Sequence, residues 1–404
     1  MEKKPFLVIF ITVFMDLVGF GIVIPLNPYL ARQFGADPLQ VGLLMTIFSA
    51  LQFLASPLWG QLSDRIGRRP VILVSVLGAA IAHVGFGFAG TLAGLFLARA
   101  FAGIFGGNIS AAMAAVADIT KPQDRAKGMG LIGAAFGLGF IFGPFLGGIL
   151  GDVGPRLGEQ APFGASFPAV VAGGICFLNF LLALWILPET NPHVLGKNTQ
   201  PLPARRPRLA LLWALLRKPV LNRVLVIYFL MSLAMAHMEA ALFMLVQDRF
   251  QWDLTKASWG FAYVGVIIAM TQGGLIRKTL PRLGEANSFM IGLALMALGF
   301  FGVALSPTVV LLAVAVTVMA LGNGFANPAL TASVSLLSPQ NEQGGSMGVN
   351  QSLSALGRIL GPAAGGWLYL RMGMPYPFFV AGSLVTLAVL IGFQVRGQVP
   401  HQAK

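Results

Sequence analysis

Long apolar stretches recur along the whole chain, each about 20 residues long, which is the length an α-helix needs to cross a hydrocarbon core of about 30 Å. Lipid-exposed backbone without internal hydrogen bonds is too costly to persist, so such stretches are expected to be helical. The pattern therefore predicts an all-α membrane protein with twelve transmembrane helices. The predicted spans are 6–30, 41–62, 70–90, 92–117, 128–150, 167–187, 220–246, 257–277, 286–305, 308–336, 346–370 and 376–395.

The composition excludes a water-soluble enzyme. Of the 404 residues, 56% are hydrophobic and only 10% are charged, whereas a soluble surface needs far more charge. Twelve spans with short loops leave no length for a soluble catalytic domain. The sequence contains no phosphate-binding glycine loop and no clustered metal ligands. We therefore predict no enzyme activity, no metal site and no cofactor.

The formal net charge of +13 follows the predicted topology. Most of the 27 lysines and arginines fall in predicted loops on one side of the membrane. Because cytoplasmic loops are enriched in these residues, both termini are predicted to be cytoplasmic. The same distribution argues against a nucleic-acid partner, which would need a basic face or stripe on a folded domain.

An internal repeat divides the chain into halves. A glycine–proline motif in span 5 recurs in span 11, with shorter matches before and after it. The two copies read Gly139-x-x-x-Gly143-Pro144-x-x-Gly147-Gly148 and Gly357-x-x-x-Gly361-Pro362-x-x-Gly365-Gly366. We predict six-helix bundles at 1–187 and 220–404, joined by a basic, proline-rich cytoplasmic linker at 188–219. Repeats of this kind place a substrate site between them.

Four motifs carry a resemblance to a known family. The segment Gly60-Gln61-Leu62-Ser63-Asp64-Arg65-Ile66-Gly67-Arg68-Arg69-Pro70 resembles the signature loop of the major facilitator superfamily. Two further patterns, Asp16-x-x-Gly19-x-Gly21-x-x-x-Pro25 and Leu95-x-x-x-Arg99-x-x-x-Gly103, accompany the glycine–proline motif. Together the four are similar to the twelve-span drug:proton antiporters, and within them most closely to the tetracycline efflux proteins.

The resemblance implies a secondary transporter that works by alternating access. It implies proton-coupled export of a small amphipathic or drug-like molecule, by a monomer in the bacterial inner membrane that needs protons and a lipid bilayer but no cofactor. The alternative on the same fold is a proton-coupled or facilitative uptake transporter for a metabolite or lipid-like solute. The antiporter-type glycine motif favours export.

Charged side chains within a span cost several kcal/mol and are functional by default. Asp16 and Glu239 are the predicted proton-coupling residues, with Arg99 and Arg358 as counter-ions. Burial disfavours the charged form of a carboxyl and a nearby cation favours it, so such an acid can be poised to bind and release protons. The alternative is a structural ion pair that never titrates.

The resemblance places spans 1, 4, 7 and 10 around the substrate cavity. Five further residues on these spans are predicted to line it: Asn108, Tyr228, Met235, Asn323 and Asn327. The last two are four residues apart, so their amides share a helix face. A helix–helix hydrogen bond is the alternative role for this pair.

The resemblance also implies a cytoplasmic latch in the loop that begins at Gly60. In it, Asp64 meets the positive end of the helix dipole at the start of span 11, and Arg68 reaches Asp118 at the end of span 4. The alternative is a solvated basic loop. The glycine–proline motif of span 5 (Gly139, Gly143, Pro144, Gly147 and Gly148) is expected to make a pliable span, beyond allowing close helix packing.

Overall fold

The computed structural model describes residues 3–120, 125–196, 215, 217–338 and 343–400, and these residues form helices and turns without a β-strand. In chain order the α-helices are α1 (Lys3–Gln33), α2 (Pro38–Ile66), α3 (Arg68–Gly87), α4 (Leu92–Phe105), α5 (Ile109–Ile119), α6 (Arg125–Leu157), α7 (Phe167–Ile186), α8 (Pro219–Phe250), α9 (Leu254–Met270), α10 (Ile276–Leu305), α11 (Val309–Leu336), α12 (Gln343–Met372) and α13 (Tyr376–Val395).

Two of the predicted spans contain a break in regular α-helix. A 3₁₀ turn, Gly106–Asn108, separates α4 from α5 within the fourth span. A π-helical turn, Thr271–Leu275, joins α9 to α10, and Gly284 inside α10 has a non-helical backbone with φ 76°. Within the described ranges, 10 helices are long and apolar enough to cross a membrane, with Leu254–Leu305 taken as one. The all-α membrane fold is thus confirmed, and the count of twelve spans stays a prediction.

The internal repeat is visible in how equivalent helices begin. Thr91 precedes α4 and its side chain accepts a hydrogen bond from the backbone N–H of Gly94, at 3.1 Å. Thr308 precedes α11 and accepts in the same way from Leu311, at 3.3 Å. Such a cap satisfies one of the backbone donors that the first turn of a helix leaves unpaired. Both halves of the repeat therefore begin their fourth span with the same device.

The chain separates into two compact units. The first contains residues 1–36, 47–202 and 251–263, and the second contains 37–46, 203–250 and 264–404. In the first unit α1 packs on α6 and α7, while α3 packs on α7 and α4. In the second unit α8 packs on α12 and α13, while α10 packs on α13 and α11. These four pairings are equivalent under the repeat, and the predicted bundle boundaries at 187 and 220 stay a prediction.

Candidate functional site

Asp16, on the apolar helix α1, is hydrogen-bonded to Asn108. The Asn108 side-chain amide donates to the Asp16 carboxylate with Nδ2 and Oδ2 3.2 Å apart. Asn108 ends the 3₁₀ turn between α4 and α5, and it is buried. The Gln52 side chain donates to the Gly106 carbonyl at 2.8 Å, which satisfies an acceptor at this break in the helix. The structure thus brings together two residues that the sequence predicts as functional.

Arg99 is buried against aromatic rings of the first unit. Its guanidinium carbon lies 4.3 Å from the centre of the Phe48 ring and 5.8 Å from that of Phe20. The two rings are themselves stacked, with centroids 4.9 Å apart. A desolvated guanidinium gains about 2 kcal/mol or more from such a face. The aromatic partners were not predicted from the sequence, and the counter-ion role of Arg99 stays a prediction.

Polar side chains of α8 and α12 form a connected cluster in the second unit. The hydroxyl oxygens of Ser232 and Ser354 are 3.1 Å apart, and the Ser232 hydroxyl also lies 3.2 Å from the Ser354 carbonyl, to which it can donate. The Arg358 guanidinium donates from Nη1 to the Ser354 hydroxyl at 3.0 Å. Arg358 thereby extends a chain of hydrogen bonds across two helices.

The predicted cavity residues of the second unit lie around this cluster. The Tyr228 hydroxyl donates to the Asn327 side-chain oxygen at 3.4 Å, linking α8 to α11. Asn323 is buried on α11, whereas Met235 is half-buried on α8. Glu239 is also half-buried on α8, and its carboxyl interacts electrostatically with Arg358. The predicted Glu239 and Arg358 therefore occupy one neighbourhood, and their proposed roles remain to be tested.

The glycines of span 5 form the contact between α6 and α1. A Cβ atom added to Gly139 would lie 2.6 Å from Leu17 Cβ, and one added to Gly143 would lie 2.5 Å from Gly21 Cα. Backbone of one helix thus lies directly on backbone of the other, which a side chain would prevent. Gly147 and Gly148 continue the motif, and Pro144 lies inside α6. A Cβ atom added to Gly148 would lie 3.3 Å from the Trp259 indole nitrogen.

The repeated motif makes the same contact between α12 and α8. A Cβ atom added to Gly361 would meet the Ala236 side chain at 2.5 Å, and one added to Gly365 would meet the His237 carbonyl at 2.8 Å. The close-packing role of both glycine motifs is therefore visible in the structure. Whether span 5 is also pliable stays a prediction.

Arg68 forms the centre of a charged network among the residues of the predicted latch. Its Nε donates to Asp118 at 2.9 Å, and its Nη1 donates to Asp64 at 2.5 Å and to the Ser63 hydroxyl at 2.8 Å. The Ser63 hydroxyl in turn donates to the carbonyl of Gly60, at 3.0 Å. The contact of Arg68 with Asp118 matches the prediction. The docking of Asp64 at the start of span 11 stays a prediction.

Glu189, just after α7, caps the helix that Arg68 begins. Its carboxylate accepts from the backbone N–H groups of Arg68 at 2.9 Å and Arg69 at 3.1 Å. Gly67 has φ 110°, and a Cβ atom there would collide with this carboxylate. An anion at these first N–H groups satisfies their hydrogen bonds and meets the positive end of the dipole. Glu189 therefore stabilises the start of α3 at Arg68.

Asn191 adds a second tie between the same two segments. Its side-chain amide donates to the carbonyls of Ser63 at 3.1 Å and Asp64 at 2.9 Å. Those carbonyls lie in the last turn of α2, where the helix leaves acceptors unpaired. The segment after α7 is thereby bonded to both sides of the turn between α2 and α3.

Comparison with known proteins identifies the family. The family model of the Major Facilitator Superfamily matches residues 9–282 and 278–404. The chain belongs to the Major Facilitator Superfamily. It is therefore a membrane transporter rather than an enzyme, as the sequence predicts, and its cargo class is a small molecule.

Relatives within the superfamily confirm the predicted likeness to the tetracycline group. The chain is 34% identical over 365 residues to "Tetracycline resistance protein, class C" of Escherichia coli, covering 89% of this chain and 88% of that protein. It is 30% identical over 413 residues to "Multidrug resistance protein 1" of Bacillus subtilis (strain 168), covering 100% and 99%. The crystal structure of the human organic anion transporter MFSD10 (TETRAN) matches at 28% identity with a TM-score of 0.71, covering 97% and 99%.

Sequence reasoning missed several residues of this superfamily transporter that the structure draws attention to. Glu189 and Asn191 lie outside the predicted spans. The backbone groups near Gly67 to which their side chains bond are more than a hundred residues away in sequence. Asn350 and Ser354 were missed although a signal existed, because they precede Arg358 at steps of four residues. Glu285 was placed just outside span 9, but it is buried within α10. No cluster of metal-ligating side chains occurs in the described part of the chain.

Proposed function

We propose that this transporter exports a small amphipathic or drug-like molecule in exchange for protons, by alternating access. The observation that carries the proposal is the carboxyl of Asp16 inside the apolar helix α1, held by the Asn108 amide. A neutral amide can hydrogen-bond the carboxyl in either protonation state, since it offers both donors and an acceptor. Asp16 can therefore gain and lose a proton without losing its partner.

Glu239 supplies a second carboxyl in the other unit, and its electrostatic neighbour is Arg358. A permanently charged guanidinium favours the ionised carboxylate, and separating the two favours the protonated form. Arg358 is therefore proposed as the counter-ion of Glu239. Arg99, packed on Phe48, is proposed as the counter-ion in the first unit.

The relatives support export of drug-like molecules. Their printed names describe resistance to tetracycline and to multiple drugs. We propose that the protein acts as a monomer in the bacterial inner membrane, driven by the proton gradient without a cofactor. Both termini are proposed to be cytoplasmic because most basic residues lie on their side. In this orientation the network of Arg68 with Asp64 and Asp118 is a cytoplasmic latch.

Proton-coupled or facilitative uptake of a metabolite or lipid-like solute is the second candidate. One observation favours this candidate: the structurally similar human MFSD10 is described as an organic anion transporter rather than as a resistance protein. Export by antiport and uptake by symport differ in the direction of cargo movement under a given proton gradient. Direction is therefore the property to measure.

The experiment uses purified protein in liposomes with an acidic lumen. Tetracycline, ethidium and fluorescein are tested singly, with protein-free liposomes to subtract passive trapping. Antiport predicts that at least one probe accumulates in the lumen as protons leave, and that nigericin in potassium buffer abolishes the accumulation. Movement of the probes out of the acidic lumen would favour symport, and accumulation that survives nigericin would contradict proton coupling.

A further inference from the structure

The second unit contains a row of polar groups, of which the proposed proton coupling uses only Arg358. On α12, Asn350, Ser354 and Arg358 follow one another at steps of four residues, so their side chains share one helix face. On α8, Tyr228 and Ser232 have the same spacing. Ser232 bonds to Ser354 across the two helices, which places Tyr228 level with Asn350 in the parallel register. The phenol of Tyr228 indeed lies beside Asn350 and Ser354.

Asn350 is the most unusual member of this row. It is 1% exposed, and among the described residues neither its amide nitrogen nor its amide oxygen makes a hydrogen bond of 3.5 Å or less, although the Tyr228 phenol is close enough to interact with it. A buried amide without partners costs about 1–3 kcal/mol or more. Asn350 therefore has two hydrogen-bonding atoms available for a group that is not part of the chain.

Arg358 differs from Asn350 in that part of its side chain is exposed, although it lies in an apolar helix that packs on α8. Its Nη1 bonds to Ser354, which leaves other guanidinium N–H groups to serve as donors. The hydroxyl, phenol and amide groups around it can act as donors or acceptors, and the Glu239 carboxyl interacts with it electrostatically.

We propose that this cluster is the binding site for the anionic group of the cargo. The anion binds the guanidinium N–H groups of Arg358 that Ser354 leaves available, and a second polar group of the same molecule bonds the amide of Asn350. The two positions are eight residues apart on one helix, about 12 Å along its axis. An aromatic amphiphile with an anionic end and a polar opposite end fits that separation. The proposal narrows the cargo class of the proposed function and rests on it for its transport role.

The test measures binding and does not require transport. Fluorescein and rhodamine 123 share a three-ring xanthene skeleton but carry opposite charge at neutral pH. Binding of each dye to the purified protein in nanodiscs is followed by fluorescence anisotropy. We expect fluorescein to bind the native protein more tightly than rhodamine 123 does.

For three variants the proposal predicts the direction in which the affinity for fluorescein changes. Arg358→Gln should weaken fluorescein binding about tenfold or more, because a hydrogen-bonded charge pair is lost. Asn350→Ala should weaken it less, by about threefold to tenfold, because neutral hydrogen bonds are weaker. Glu239→Gln should strengthen fluorescein binding, since it removes the anion that competes for Arg358. If Glu239 instead held a cationic cargo, the same variant would weaken binding of rhodamine 123.

Controls separate a binding effect from a folding effect. Arg371→Gln removes an exposed arginine of the same helix and should leave the affinity unchanged. Arg358→Lys keeps the charge but loses the planar fork, so it should fall between the native protein and Arg358→Gln. Each variant is checked by size-exclusion profile and thermal unfolding in the same nanodiscs.

The outcomes are distinct from those of the export experiment. Tighter binding of rhodamine 123 than of fluorescein, no fluorescein binding, or binding insensitive to Arg358→Gln and Asn350→Ala would overturn the anion site. Ethidium accumulation driven by protons, without fluorescein binding, would leave export standing and remove the anion site. Fluorescein binding with the predicted variant effects, without uphill transport of any probe, would retain the site and remove proton-driven export.

Discussion

Helices α1 and α8 occupy equivalent places in the two units, yet they present different chemistry. Each packs on the helix that carries the glycine–proline motif and on the helix that follows it, which is α7 for α1 and α13 for α8. On α1, the Asp16 carboxyl is bound to one amide, that of Asn108. The polar groups beside α8 are hydroxyls joined to the guanidinium of Arg358. The repeat is kept where backbones touch and has diverged at the polar side chains to which we assign proton coupling and ligand binding.

The glycine contacts themselves also differ between the units. Gly143 lies on Gly21, so neither helix contributes a side chain at that point. Gly361 lies instead on the methyl group of Ala236. At Gly143 no side-chain atom of the facing helix could be removed to make room, whereas at Gly361 the methyl group of Ala236 could be.

The turns before the third and ninth spans extend the comparison. Gly67 and Gly284 both have positive φ, at 110° and 76°, a conformation that favours glycine. Each is followed by a buried charged residue, which is Arg68 in the first unit and Glu285 in the second. One backbone turn has thus been retained with side chains of opposite charge.

The largest expected effect comes from Asp16→Asn, which tests whether the first unit couples protons. The substitution keeps the shape and the hydrogen bond to Asn108 but fixes the neutral state. We expect proton-driven accumulation in liposomes to fall below a tenth of the native rate, because no proton can be released. Dye binding in nanodiscs should change less than threefold, since the proposed ligand cluster lies in the second unit.

Thr12→Val is the matched control for this variant. Thr12 is a buried polar residue of the same helix whose hydroxyl donates to the carbonyl of Val8. Native transport in Thr12→Val, with loss in Asp16→Asn, would assign the effect to the carboxyl. Native uphill transport in Asp16→Asn would remove Asp16 from the coupling mechanism, and Glu239→Gln would then be decisive.

Next in size is the difference between Gly143→Ala and Gly361→Ala. Overpacking costs about 1–3 kcal/mol, and it costs most where the obstacle is backbone. Both variants should unfold at lower temperature than the native protein, measured by differential scanning fluorimetry in detergent. Adding Ala236→Gly to Gly361→Ala should recover part of the loss, because the obstructing methyl group is then absent. No such recovery is available at Gly143, whose neighbour is already glycine.

Two glycines on the same helices serve as controls. A Cβ atom added to Gly133 of α6 or to Gly348 of α12 would meet nothing within 4 Å. Alanine there should leave the unfolding temperature unchanged or raise it slightly, because alanine favours helix by about 1 kcal/mol over glycine. If Ala236→Gly fails to improve Gly361→Ala, the contrast between the two contacts is wrong.

The smallest effect is expected for Glu189→Gln, which probes the cap of the first unit. Glutamine has one acceptor oxygen where the carboxylate has two, so it can serve only one of the N–H groups of Arg68 and Arg69, and it loses the negative charge at the helix dipole. We expect a loss of about 1 kcal/mol in stability, seen as a small fall in unfolding temperature, of which the part due to charge shrinks in high salt. Glu159→Gln, an exposed acid, should show no fall. A fall equal to that of Gly143→Ala would mean that the cap contributes far more than a dipole contact.

The features predicted from sequence are those with a local signature. Apolar length predicted membrane-spanning helices, and glycine spacing predicted close packing of α6 and α12, but not that their partners are α1 and α8. Asp16 and Asn108 were each predicted, but their hydrogen bond depends on a 3₁₀ turn that no spacing indicates. Glu189 escaped notice because its partners lie 121 and 120 residues away in sequence, a distance at which periodicity carries no information. Asn350 is uncharged, so the criterion of charge within a span did not select it. Its burial in the structure is what makes it a candidate ligand-binding residue.

The cap made by Glu189 also has a consequence for the biogenesis of the protein. Synthesis runs from the N-terminus, so the turn at Gly67 is made long before the carboxylate that will satisfy it. Until α7 has been inserted, the first N–H groups of α3 depend on water or lipid headgroups as acceptors. Contacts between segments so distant in sequence form late, because the entropy of closing the intervening loop must be overcome first. The signature turn is therefore expected to be among the last parts of the first unit to become ordered.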